Sequence, residues 1–254
     1  MARRGEKTDT LEFTVAALSA RYGESVLRDA GELLATIPPR ITTGFAQIDA
    51  LTGCNGIPQG HISLFTGRTT SGKLSVAYRV LAGAQGAGQR KDPVAILDLT
   101  GASDPQTLEA AGIRLADVLF VRPPKPEQAV TLLYDVLRMQ PWRCLLIDGL
   151  ADLLVSASIA RGFDAVMPEL ARLVRQQRTA LLLLDEPAPP WLRFVRIGSG
   201  ALVHYAALHL EFARKDWRRQ ARGGIDGYTT QIKLERSRWA RAGKSCEAML
   251  GIDH

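Results

Sequence analysis

Cysteine is scarce and scattered in this chain. The three present, Cys54, Cys144 and Cys246, are odd in number and far apart. That excludes a disulfide framework and the paired spacing of a zinc site, and it fits a reducing, cytoplasmic compartment. Cys144 stands in an apolar stretch and reads as a core residue. No apolar run approaches the ~20 residues that a membrane-spanning helix needs, so no membrane role is expected. Residues 1–7 run straight into polar sequence and do not read as a signal peptide. Internal repeats and low-complexity tracts are missing too. What is plentiful is core material: 46% of the 254 residues are hydrophobic, enough for one large α/β domain or a domain with an appendage. Positive charge is unevenly spread. Residues 188–254 carry twelve Lys/Arg against six Asp/Glu, and residues 1–187 carry twenty of each, so the whole net charge of +6 falls in the last quarter. A basic surface there suits a polyanion such as nucleic acid; the alternative is a solvated basic face with no partner.

The chain is organised around Gly67-Arg68-Thr69-Thr70-Ser71-Gly72-Lys73-Leu74-Ser75. A short apolar run at 62–65 precedes it and reads as a buried strand; residues 76–84 follow and read as a helix. Strand, G-x-x-x-x-G-K, helix is the phosphate-binding loop pattern. Glycines let the backbone curl, N–H groups point inward, and the helix N-terminus adds positive potential. Gly67, Thr70, Ser71, Gly72, Lys73, Leu74 and Ser75 are the candidate nucleotide-binding residues, with Lys73 reaching the β- and γ-phosphates of ATP or ADP. One position departs from the pattern. The residue after the lysine should carry the hydroxyl that ligates Mg²⁺, and Leu74 cannot; Ser75 is one residue late. A bland Gly-rich turn is the competing reading of the string.

Residues 1–10 are expected to be disordered, and 11–22 read as a helix with Leu11, Val15, Leu18 and Tyr22 on one face. Its apolar stripe must dock on something. Residues 29–40 read as a connector ending in Pro38-Pro39, so 1–40 is expected to form an N-terminal helix and linker and 41–254 the main domain. Strands are expected at 94–98, 118–121, 144–148 and 180–185, and helices at 104–111, 127–139 and 163–177. Asp104 is placed as an N-cap with Pro105 at the first helical position, and Pro168 is expected to kink or delay its helix. Near-continuous apolar strands fit a parallel sheet covered on both faces. Beyond Glu186 the texture changes. Residues 187–200 read as a loop, 206–212 as a strand, 214–224 as a basic turn holding Trp217, and 228–234 and 246–252 as antiparallel strands.

Nucleotide hydrolysis needs a carboxylate at a neighbouring strand tip, to hold the water shell of Mg²⁺, and usually a base. Two places qualify. Asp148 ends the apolar run 145–147 and is the favoured, indirect Mg²⁺ residue. Asp185-Glu186-Pro187 matches the strand end of transporter-type ATPases, but their Leu-Ser-Gly-Gly-Gln signature is missing. Either aspartate could simply cap the next helix.

Several short strings stand in a definite order: Ile41-Thr42-Thr43-Gly44, Gly56-Ile57-Pro58-Gln59-Gly60, the loop at 67–75, Asp98 followed by Asp104-Pro105, Leu146-Ile147-Asp148, and Gly198-Ser199-Gly200-Ala201-Leu202 before Tyr205-Ala206. In this order and at this spacing, nearly the whole chain resembles the ATPase core of the bacterial RecA recombinase family. The resemblance implies a three-layer α/β P-loop fold with a mostly parallel central sheet, antiparallel C-terminal strands and an N-terminal helix. It implies self-association, or docking on a RecA-like partner, through residues 11–28, whereas the family's small C-terminal domain is expected to be absent. It also locates the departures. The family's threonine Mg²⁺ ligand falls at Leu74 and its catalytic glutamate at Thr100, which cannot act as a base. The adenine-stacking tyrosine falls at Thr107, while the adenine-contacting aspartate is kept as Asp104. The sensor Asn-Gln falls at Asp185-Glu186. The first DNA loop, after Asp148, is shortened. The two lysines that reach a neighbour's ATP fall at Arg236 and Arg238. The second DNA loop becomes Trp191-Leu192-Arg193-Phe194-Val195-Arg196, aromatic and basic as single-strand binding prefers, although Trp191 and Phe194 could equally pack over the sheet.

These readings point to a diverged RecA-like protein of bacterial DNA repair and recombination that binds DNA, single-stranded DNA above all, with weak or no ATP hydrolysis. DNA contact is expected from Trp191, Arg193, Phe194 and Arg196 and from Arg214, Lys215, Arg218 and Arg219. Mg²⁺ binding is compromised by Leu74. ImuA-type proteins, RecA-like partners of a translesion polymerase, are a precedent for such an accessory or scaffold. The rivals are a working DNA-dependent ATPase, against which Leu74 and Thr100 argue, and a partner-binding module that has lost ATP and DNA, against which Lys73, Asp148 and the basic quarter argue.

Overall fold

The computed structural model describes residues 5–23, 37–86, 92–101, 103–154, 156–187, 199–219 and 224–251. The chain divides into two units, residues 1–37 and 38–254. In the first, helix α1 (Gly5–Tyr22) starts well before residue 11, so residues 5–10 are helical rather than disordered. No proline or second glycine interrupts 6–22, so nothing in the backbone stops the helix at Leu11. Phe13 is 76% exposed, and Val15, Leu18 and Tyr22 also face solvent.

The second unit carries a small antiparallel pair, β1 (Arg40–Ile41) with β2 (Ile57–Pro58), flanking α2 (Ala46–Thr52). Its main sheet is built from β3 (Ile62–Gly67), β4 (Val94–Asp98), β5 (Val118–Val121), β6 (Cys144–Asp148), β7 (Ala180–Asp185), β8 (Ala206–Arg219), β9 (Ile225–Ser237) and β10 (Ser245–Gly251). Their order is β10-β9-β8-β3-β7-β6-β4-β5. The run from β8 to β5 is parallel, and β9 and β10 add antiparallel to it. Alternate side chains of the central strands feed two cores. Phe65, Ile96, Leu146, Leu182 and Leu184 pack with Val76, Val80 and Leu81 of α3 (Lys73–Gln85) and Leu108 of α4 (Pro105–Ala110). Leu64, Leu145, Ile147, Leu181 and Leu183 pack with α5 (Ala129–Met139), α6 (Leu150–Leu154), α7 (Ala157–Gln177) and α8 (Ser199–Tyr205). This is an α/β fold in three layers, and burial on both faces explains why its strands lack polar alternation. Cys144 is fully buried, which pushes its thiol up to about 12.

The expected strands at 94–98, 118–121, 144–148 and 180–185 stand as read. Three expectations change. Residues 214–219 are not a turn: β8 continues to Arg219, with Arg214 opposite Thr230, Trp217 opposite Tyr228 and Arg219 opposite Ile225. Here the β8–β9 ribbon is largely solvent-exposed, so it needs no apolar alternation and its charges mask the strand. Helix α7 starts at Ala157, and Pro168 sits inside it without ending it. Residues 199–205 are helical despite their glycine. The loop residues Trp191, Arg193, Phe194 and Arg196 lie outside the described residues.

Candidate nucleotide site

The 67–75 segment forms a loop that closes onto the first turn of α3. Gly72 caps that helix with φ +94°. A Cβ there would come within 2.4 Å of Leu250 Cδ1, and one on Gly67 within 2.6 Å of the Phe212 carbonyl oxygen. Close approach of the Phe212 backbone therefore requires glycine at 67, and the left-handed backbone favours it at 72. Thr70 takes φ +66° without being glycine. The loop is braced from outside: Thr230 donates its hydroxyl to the Ser71 carbonyl at 2.7 Å, and Arg214 Nη1 donates to Thr70 Oγ1 at 2.9 Å.

Lys73 is buried at the loop's centre. Its ammonium donates to the Gly67 carbonyl at 2.9 Å, the Arg68 carbonyl at 3.4 Å and Glu186 Oε1 at 2.9 Å. Glu186 Oε1 also accepts from Thr69 Oγ1 at 2.7 Å. The Ser71 hydroxyl is buried without a hydrogen-bond partner. An orphaned donor inside a curl of backbone, beside the unsatisfied N–H groups of a helix start, fits a phosphate group.

Two aspartates stand side by side at the strand tips, Asp98 of β4 in register with Asp148 of β6. Burial works against ionisation of Asp98. Hydrogen bonds from Arg122, Thr100 and the Ser103 and Gly101 amides outweigh it and hold the carboxyl below its ordinary value. Asp148 lacks such a set. Burial, then the charge of Asp98, pushes it up to about 6 against the pull of Lys73. It is ionised at neutral pH and could hold a water shell around Mg²⁺. A directly ligated metal does not fit: Leu74 packs its side chain against the core, and the Ser75 hydroxyl faces Tyr228 Oη at 3.4 Å.

The RecA N-terminal domain family model matches residues 9–182. The chain belongs to the RecA family. It is 27% identical to Protein RecA of Ruminococcus albus, over 95% of this chain and 64% of that protein. It is 25% identical to Protein RecA of Ureaplasma parvum serovar 3, over 91% of this chain and 73% of the relative. With Protein RecA of Clostridium perfringens the identity is 24%, over 95% and 72%. The chain thus spans between about two thirds and three quarters of these relatives.

At the positions where the RecA resemblance implies chemistry, the geometry is specific. Thr100 donates its hydroxyl to Asp98 Oδ1 at 2.9 Å. Asp104 caps α4 by accepting from the Thr107 amide and hydroxyl, at 3.0 and 3.1 Å. Arg236 and Arg238 lie across β8 from β3 and toward the end away from the loop: Arg236 is across from His209, which pairs with Leu64, and the Arg238 amide donates to the Ala207 carbonyl, next to the partner of Ile62. At ~3.3 Å per residue, Leu64 and Ile62 stand about 10 and 16 Å along the strand from Gly67. Arg236 donates to the Val203 carbonyl. Arg238 lines a cavity of about 290 Å³ with His61, Arg175 and His204. Burial, then repulsion from Arg175 and Arg236, lowers its pKa.

On the β8–β9 ribbon, the Arg214 guanidinium stacks over Trp217 at 4.3 Å, and Trp217 meets Tyr228 edge-on at 5.7 Å. Lys215 pairs with Glu247 and Arg218 with Asp226, while no hydrogen bond or ion pair is found for Arg219 among the described residues. Thr230, Tyr228, Arg122 and the Lys73–Glu186 pair were not anticipated from sequence. No local spacing marks them, because each acts across a long separation: 159 residues for Thr230 to Ser71 and 113 for Glu186 to Lys73. Among the described residues, no helix is long and apolar enough to cross a membrane, and no group of three His, Cys, Asp or Glu could hold a metal.

Proposed function

We propose that this RecA-family chain binds ATP or ADP and DNA as an accessory or scaffold in bacterial DNA repair and recombination, with weak or no hydrolysis. The observation that carries the reading is the split within the loop. Its phosphate cradle is intact around Lys73 and Ser71, while Leu74 is turned into the core and Thr100 is spent on Asp98. The first supports binding. The second removes the metal ligand and the base that phosphoryl transfer needs. Asp148 would hold Mg²⁺ through water only. Arg236 and Arg238 would meet a neighbouring subunit's nucleotide, as the RecA resemblance implies, and the exposed apolar side chains of α1 support self-association or docking on a RecA-like partner.

DNA contact falls to Arg214, Lys215, Arg218, Arg219 and Trp217 on the ribbon, together with the 191–196 segment. Guanidinium groups next to an exposed indole suit single strands, through phosphate contact and base stacking. The second reading, a partner-binding module without nucleotide or DNA, is favoured by the ion pair that already occupies Lys73. One experiment separates the two: titrate single-stranded DNA with and without ATP and Mg²⁺, following phosphate release in parallel. DNA binding whose salt slope falls by up to about 1.4 in Arg218→Ala/Arg219→Ala, at ~0.7 per phosphate contact, supports our reading. Salt-insensitive or absent DNA binding moves the module ahead. Phosphate release at ~1–100 s⁻¹ would mean a working ATPase. Full-length chain that sediments as a monomer at high concentration and ignores RecA would remove the assembly role of α1.

A further inference from the structure

The geometry points to Glu186 as the residue that sets how many phosphates the loop accepts, selecting a nucleoside diphosphate over a triphosphate. This rests on the reading that the loop binds a nucleotide. A lysine ammonium has three N–H donors, and all three are matched here: Gly67 carbonyl, Arg68 carbonyl and Glu186 Oε1. The carboxylate occupies the one donor that does not face the loop's own backbone. Its Oε1 is fixed from a second side by the Thr69 hydroxyl, so the loop itself holds it in place. A phosphate-binding loop cradles the inner phosphates with backbone N–H groups, and its lysine reaches the β- and γ-phosphates. In this chain the lysine already carries an anion.

A diphosphate is held mainly by the cradle, the unsatisfied amides at the start of α3 and the orphaned Ser71 hydroxyl, and asks of Lys73 only its β-phosphate contact. A triphosphate must place its last phosphate against Lys73. To do so it must displace Glu186 and then remain beside it. Asp148 adds to the obstacle, since it lies within electrostatic range of Lys73, Asp98 and Glu186. The added phosphate would meet like charges that a metal could offset, but Leu74 supplies no hydroxyl to hold one. Glu186 is 41% exposed at its side chain, so it can swing into water, and the selection is a bias rather than a block.

The test uses the full chain and calorimetric titration with ADP and with ATP, at fixed Mg²⁺, for wild type, Glu186→Gln, Glu186→Ala and Lys73→Ala. Glu186→Gln keeps the size and the Thr69 acceptor while removing the charge; thermal melts report whether each variant folds. Wild type is expected to bind ADP more tightly than ATP. Both Glu186 variants are expected to strengthen ATP binding about tenfold, the order expected for removing one partly solvated like charge at close range, with ADP changed little. Lys73→Ala should lose ATP binding and weaken, without abolishing, ADP binding. If nucleotides bind and the ADP-to-ATP ratio is the same in wild type and both folded Glu186 variants, Glu186 is not the selector, and the nucleotide reading stands. If no chain, wild type or Glu186 variant, binds either nucleotide at millimolar concentration, the nucleotide reading itself fails and this inference falls with it.

Discussion

Substituting Gly72 by Ala tests whether β10 and β9 truly wall the loop. Gly72 holds φ +94°, and a Cβ there would lie 2.4 Å from Leu250 Cδ1 and 3.3 Å from Tyr228 Cε2. Two costs add. A left-handed backbone costs an L-residue about 1–2 kcal/mol, and overpacking a filled site costs about 1–3 kcal/mol. Restricting the unfolded chain returns about 0.4–1 kcal/mol. The net expectation for Gly72→Ala is a loss of roughly 1–5 kcal/mol. Gly112 is the internal control. It has φ +90° with only Ala82 Cβ nearby, at 3.8 Å, so Gly112→Ala should show the backbone cost alone, roughly 0–2 kcal/mol. Leu250→Ala opens the space that the new methyl enters. The double variant Gly72→Ala/Leu250→Ala should therefore be more stable than the two single losses summed, by about 1–3 kcal/mol of coupling. Urea unfolding of the four variants and wild type, followed by circular dichroism, measures all of these. If Gly72→Ala costs no more than Gly112→Ala and shows no coupling to Leu250→Ala, the strand–loop approach is not a packed contact.

Asp148→Asn should stabilise the chain at pH 7.5. Asp148 keeps its proton up to about pH 6 when folded but only to ~4 when unfolded, so stability falls as pH rises between those values and the full penalty, up to roughly 3 kcal/mol, stands above them. Urea midpoints at pH 5 and 7.5 check this, and equal pH slopes in wild type and Asp148→Asn would refute it. Leu74→Thr together with Thr100→Glu should raise phosphate release measurably over wild type, and each alone should do less. A double variant as inert as wild type in a DNA-stimulated assay would locate the defect elsewhere, with Glu186 the next position to change.

Legibility followed chemistry and distance. The strands 94–98, 144–148 and 180–185 could be read because a sheet buried on both faces leaves an uninterrupted apolar run. The Asp104 cap could be read because it is local, its side chain bonding three residues ahead. The ribbon at 214–219 could not, since strand pairing without burial leaves no hydrophobic period. The start of α1 was missed because Glu6 to Thr10 offers no apolar stripe. In the site, Lys73, Leu74, Thr100 and Asp148 were visible from motif spacing and family resemblance. Their partners were not: Thr230, Arg214 and Glu186 reach the loop from strands far along the chain, where neither period nor spacing links them to it.

The loop's backbone bears on the proposal that anions bind here without turnover. Thr70 sits in the left-handed region at φ +66°, where a threonine costs of order 1–3 kcal/mol. Such strain persists only when the surroundings impose it, and here they do. Arg214 holds the Thr70 hydroxyl, Thr230 holds the next carbonyl, and Phe212 and Leu250 fill the spaces that only glycines at 67 and 72 leave open. A loop kept only as a turn would need none of these braces. Relaxing Thr70 would stabilise the fold. On the proposed reading the departures lie instead at Leu74 and Thr100, the positions where the RecA resemblance implies the metal ligand and the base. The strain would then stand where phosphate is cradled, and the departures where it is cleaved. That division is what a chain used for bound nucleotide, rather than for turnover, would show.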